Sequence, residues 1–139
     1  MRAFFLCALV GSLIAPMSAS AAGQPAPTSV CQVIRNAAKL TDKRLRVEGY
    51  VSDLGSHGFV LIGKRRDCRE EGILVLRIGR VRSNEAWRKA FAGSAGLKRA
   101  ILVGKVGWVP SQYFGGRNPA LTVERVIYLS QQQADESDF

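Results

Sequence analysis

A chain of 139 residues that is 47% hydrophobic can bury a core, which excludes a disordered tail. It is too short for two separately cored domains. A net charge of +9, from 20 Lys and Arg against 11 Asp and Glu, favours nucleic acid, acidic lipid headgroups or anionic polysaccharide as partners, with a merely solvated basic surface as the alternative.

Arg2 and an apolar run over residues 4–14 open the chain, Pro16 and Ser18 break the run, and Ala19, Ser20 and Ala21 supply a small-x-small cleavage pattern. Residues 1–21 thus read as an export signal. The run falls short of the roughly 20 residues that a spanning helix needs, so no stable membrane span is expected after cleavage. A retained anchor is the alternative. Cys7 lies inside the run, not at the boundary, which argues against a lipid-anchored protein. Cleavage leaves about 118 residues, enough for one core. Without Arg2 the balance is 19 basic against 11 acidic residues, a net +8. The expected location is periplasmic or secreted.

In that setting the surviving pair, Cys31 and Cys68, reads as a structural disulfide. A redox or metal pair lacks support, because there is no Cys-x-x-Cys and His57 is the only histidine.

Residues 22–28 are a Pro-rich linker without periodicity. Ser29 is placed to cap a short helix carrying Val30, Val33, Ile34, Ala37 and Ala38 at helical spacing. Residues 44–53 alternate as a first strand, with Leu45, Val47 and Val51 inward and Arg44, Arg46, Glu48 and Tyr50 outward. A turn at residues 55–58 joins it to a second strand, residues 59–62, and a charged loop carrying Cys68 leads to a third, residues 73–78. Ser83, Asn84 and Glu85 open a second helix with an Ala86, Trp87, Ala90 and Phe91 stripe, stopped by Gly93 and Gly96. Residues 98–109 form a fourth strand, 110–119 a loop, and 121–129 a fifth strand with Leu121, Val123, Ile127 and Leu129 on one face. Residues 131–139 read as a disordered, acidic tail.

The fold class expected is all-β with short helices. Three strands, a helix and two more strands, preceded by a short N-terminal helix, is the order of the OB-fold, a five-stranded Greek-key barrel. The domain would span residues 29–130, with glycines 49, 104 and 107 where long strands bend. The chain resembles a group of small exported bacterial proteins with an OB-fold-like barrel and no assigned activity. The resemblance rests on Cys31 before a short helix, residues 43–49 entering the first strand, Cys68 after the second, and residues 102–107 in the fourth.

Residues 58–64 match the Gly-x-x-x-x-Gly-Lys spacing of a phosphate-binding loop, but the mechanism fails. The intervening residues are large and apolar, Arg65 stands where a Ser or Thr belongs, and a charged loop follows instead of a helix. His57 is the sole candidate general base at neutral pH, and only a triad with Asp53 and a distant Ser would give it a catalytic role. Asp67, Glu70 and Glu71 interleave with Lys64, Arg65, Arg66 and Arg69, a pattern of local ion pairing and not of a cation site. No catalytic residue, cofactor or metal is therefore expected.

What remains is basic and aromatic. OB-folds bind on the face of strands two and three, flanked by the loops joining strands one to two and four to five. Tyr113, Phe114 and Arg117 in the second of these loops offer rings and a guanidinium, and Arg46, Tyr50 and Arg77 extend the same surface. The alternatives are rings packed over a barrel end and arginines on a solvated outer face. The expected function is a non-enzymatic exported binding module for a protein, glycan or anionic envelope component. Single-stranded nucleic acid outside the cytoplasm is the second choice of partner.

Overall fold

The computed structural model describes residues 26–64, 66–68, 72–93, 96–111, 116–135 and 137. The export signal expected over residues 1–21 lies outside the described residues, as do Tyr113 and Phe114.

Strand β1 (Thr28–Ser29) leads directly into helix α1 (Val30–Arg35). Ser29 starts that helix as expected. Its Oγ accepts from the Gln32 N–H at 3.3 Å, and Gln32 Oε1 accepts from the Ser29 N–H at 3.2 Å. This reciprocal capping satisfies two donors that a helix start leaves open. Asn36 interrupts the helix before a short α2 (Ala37–Leu40), and Asp42, at φ 64°, turns the chain into β2 (Arg44–Asp53). A 3-10 turn, Gly55–His57, joins β2 to β3 (Phe59–Ile62), and β4 (Ile73–Arg77) follows. A second 3-10 turn, Gly79–Ser83, then enters α3 (Glu85–Phe91), and β5 (Lys98–Pro110) and β6 (Arg117–Leu129) complete the chain. Asn84 caps α3, its Oδ1 accepting from Ala86 N at 2.9 Å and Trp87 N at 3.4 Å.

Among the described residues the strands form one six-stranded sheet, and the domain is mainly β. β2 pairs antiparallel with β3 along its second half and with β5 along most of its length. β3 continues to β4, β4 runs parallel to β6, and β6 returns to β5. The hydrogen-bonded path therefore comes back to β2, but unevenly. β5 and β6 stay paired from Ala100 and Leu129 to Pro110 and Arg117, whereas β4 and β6 meet only between Val75–Ala120 and Arg77–Thr122. The five strands expected are joined by a sixth, because Thr28 and Ser29 pair in parallel with Val47 and Glu48. Thr28 falls in the segment expected as linker, and nothing in its local sequence announces a two-residue strand.

The core takes Val47 and Val51 from β2, Leu61 from β3, Leu74 from β4, Leu102 from β5 and Leu121 from β6, all fully buried. Trp87 of α3 packs edge-on against Phe59, with ring centroids 5.1 Å apart, and against Phe91 at 5.2 Å. Trp108 stays half-buried, its indole N–H donating to Thr41 Oγ1 at 3.0 Å.

Three expectations are corrected. Ile127 does not point inward. The β5–β6 register slips between Ile101 and Leu102 and again between Val103 and Gly104, so Ile127 and Glu124 are extra residues on β6. Each bulge reverses the alternation, so Leu121, Val123 and Leu129 are buried with Val126 packed beside them, while Ile127 is exposed. Gly104 sits at the second slip, where a Cβ would lie 2.4 Å from Thr122 O. Tyr50 is the second correction. Its parity is outward, yet it is 2% exposed, lining a small cleft with Pro27, Ser29, Lys64 and Asp67. The N-terminal segment and the loop after β3 cover it. Third, residues 131–135 are not a free tail. Ala134 N donates to Leu97 O at 2.7 Å, Gln131 Nε2 to Ala86 O at 3.3 Å, and the buried Lys98 Nζ to Gln131 O at 3.1 Å.

Cys31 and Cys68 form the expected disulfide, with Cα atoms 5.5 Å apart and a separation of 37 in sequence. It ties α1 to the β3–β4 connection, where Arg35 Nη2 also donates to Asp67 O at 3.1 Å. Two glycines make room for it. A Cβ on Gly63 would stand 2.8 Å from Cys31 Sγ, and one on Gly72 would stand 2.5 Å from Cys68 Sγ.

Candidate anion-binding site

The β3–β4 register places Phe59 opposite Leu76, which brings the end of the Gly55–His57 turn beside the end of β4. An open cleft of about 450 Å³ forms there, lined by Gly58, Phe59, Leu76, Arg77, Gly79 and Arg82. Its floor is apolar, since Phe59 and Leu76 are buried core residues. Arg77, the last residue of β4, and Arg82, in the turn that follows, are both exposed. Gly58, at φ 86° and ψ −149°, holds a backbone conformation open only to glycine.

Local sequence makes the rim rigid. Ile78 and Val81 are buried and anchor the Gly79–Ser83 turn to the core. Val81 N donates to Ile78 O at 2.8 Å, Asn84 N to Val81 O at 2.9 Å, and Ser83 Oγ to Arg80 O at 2.8 Å. Val81 is buried between Arg80 and Arg82, and these two line different clefts. Arg82 lines the first cleft. Arg80 lines a second, of about 280 Å³, with Ser83, Asn84, Glu124, Arg125 and Val126.

The charges on this rim differ from those of Arg44 and Arg99. Arg44 holds Glu124 through two hydrogen bonds, at 2.6 and 3.3 Å, and Arg99 holds Glu48 through two, at 2.6 and 2.9 Å. The hydrogen bonds to these carboxylates, with their opposite charge, raise both guanidinium pKa values above the ordinary arginine range. Lys89 pairs with Glu85 one helical turn earlier. Among the described residues Arg77, Arg80, Arg82 and Arg125 have no acidic side chain within ion-pair distance.

The residues expected to form one surface are not all brought together. Arg77 lies in the first cleft. Arg46 is half-buried midway along β2, opposite Val103 of β5. Arg117 is exposed but belongs to β6, paired with Pro110, and not to a loop. Tyr50 is buried. Tyr113 and Phe114 lie outside the described residues. The antiparallel β2–β5 register also sets the Gly55–His57 turn and the β5–β6 turn at opposite ends of that strand pair. Arg80, Arg82 and Arg125 went unnoticed in the sequence. The available signal was three arginines between positions 77 and 82, interleaved with apolar Ile78 and Val81.

The other candidates have structural employment or no site. Asp53 Oδ1 accepts from Gly55 N at 2.8 Å, which fixes the turn that carries exposed His57. Residues 59–61 of the phosphate-loop look-alike are buried strand. No group of three His, Cys, Asp or Glu fit to hold a metal occurs among the described residues. No helix among them is long and apolar enough to cross a membrane. Comparison with known proteins finds no matching family model, curated protein or solved structure.

Proposed function

We propose that this chain is an exported, non-enzymatic binding domain with an OB fold, and that it holds an anionic envelope component at Arg77 and Arg82. One observation carries the reading: two exposed guanidiniums without acidic partners among the described residues share an open cleft over an apolar floor. Arg44 and Arg99, by contrast, are each bonded to a glutamate and so have less to offer an anion. The path β2–β3–β4–β6–β5, with its parallel β4–β6 step, supports the OB reading, and so does a cleft beside the turn between the ring's first two strands. The Cys31–Cys68 disulfide fits a periplasmic or secreted location, as does the signal-like start.

A titration with D-galacturonate at low salt, followed by amide resonances, tests this directly. The expected result is saturable shifts at Gly58, Arg77, Gly79 and Arg82, and a dissociation constant about tenfold weaker for Arg77→Gln, the equivalent of roughly 1.4 kcal/mol. Shifts spread over the whole basic surface, or none, would sink the assignment.

A further inference from the structure

The two arginine clefts lie on either side of one short turn. We infer that they are successive subsites for a single linear anionic glycan, which crosses the Gly79–Ser83 turn with one acidic group in each cleft. This rests on the anionic-ligand reading above and extends it to the ligand's class.

Val81 is buried at the centre of that turn. Arg80 and Arg82 flank it and line different clefts, so one three-residue segment supplies a cation to both. Each cleft then receives its second arginine from a strand, Arg77 from β4 and Arg125 from β6. Those strands are parallel neighbours, with Arg77 opposite Thr122, so Arg125 lies three residues further along β6. Strand geometry sets the backbones of Arg77 and Arg125 on the order of 10 Å apart. That separation suits two charges on one chain, not the oxygens of one small anion. The carboxylate in the second cleft does not cancel its cations, because Glu124 is held by Arg44. Ser83 Oγ, which donates to Arg80 O, can still accept, and Asn84, whose Oδ1 caps α3, keeps its Nδ2 as a donor for a sugar hydroxyl.

The lining also separates glycan from nucleic acid. Single-stranded nucleic acid is held by rings on which successive bases stack, with cations along the backbone. The only aromatic residue in either lining is Phe59, and it is 8% exposed. These clefts offer charge and polar groups without a stacking platform.

Calorimetry at low salt with galacturonate, its linear octamer and an eight-residue oligo-dT tests the inference on the whole protein. The octamer should bind at least about 100-fold tighter than the monomer, beyond the roughly eightfold that eight equivalent residues give by counting. Arg82→Gln and Arg125→Gln should each weaken the octamer about tenfold, and the double variant should bring it near monomer affinity. Arg125→Lys, which keeps the charge, should retain most of the binding, and unchanged thermal midpoints would exclude misfolding. Octamer affinity within the counting factor, or indifference to Arg125→Gln, would overturn the two-subsite inference while leaving a monomer-binding cleft intact. Oligo-dT binding as tightly as the octamer would overturn the glycan assignment. Failure of both monomer and octamer to bind would remove the anionic-ligand reading itself.

Discussion

Two basic surfaces on this domain differ in one respect, and the difference separates structure from function. On the outer face of β2, β5 and β6, Arg99 is held by Glu48 of neighbouring β2, and Arg44 of β2 is held by Glu124 of β6, across the intervening β5. On the rim formed by β4, the Gly79–Ser83 turn and β6, four arginines have no such partner among the described residues. Both surfaces contribute to the same net charge, so charge alone would not distinguish them. A guanidinium already bonded twice to a carboxylate has little left to offer an anion, whereas an unpaired one over an apolar floor keeps its donors available.

The comparison presumes one scaffold beneath both surfaces, and the largest expected effect breaks that scaffold. Replacing Cys31 and Cys68 together by Ser should cost about 4 kcal/mol, from the loop closed over the intervening chain. Urea unfolding checks this, and the fluorescence of Trp87 and Trp108 together should lose its native signal at the same denaturant concentration as the far-ultraviolet signal of the strands. A loss below about 1 kcal/mol would mean that the staple does little for the fold. Asn84→Ala comes next. It removes the cap that starts α3 and should cost about 1 kcal/mol. Because Asn84 N also bonds Val81 O, the turn itself keeps its backbone contact, and galacturonate affinity at the first cleft should change less than twofold. A larger drop, measured by titration, would show that the rim depends on the helix cap.

Much of the scaffold was legible because it is written locally. The Ser29 and Asn84 caps, the strand segments and their order, and the cysteine pair each follow from spacing over a few residues. Tyr50 and Ile127 were not legible, for two different reasons. Tyr50 obeys its strand's alternation but is covered by segments distant in sequence. Ile127 breaks its alternation because two bulges shift the phase of β6. The site was half legible. Arg77 stood out as the one charge in an apolar strand, but its companions come together only through the parallel β4–β6 pairing, which no short window of sequence records.

The smallest effect in stability is also the sharpest test. Arg99→Gln and Arg82→Gln remove one exposed guanidinium each, from the paired face and the open rim. Measuring thermal midpoint and galacturonate affinity on both variants tests the central claim, that pairing decides which arginines meet the ligand. The account predicts a crossed result. Arg99→Gln should lose at most about 0.5 kcal/mol, since the pair is exposed and screened, and keep its affinity. Arg82→Gln should keep its stability and bind about tenfold more weakly, or roughly 1.4 kcal/mol. Equal losses of affinity in the two variants would contradict it, since the ligand would then be responding to net charge alone.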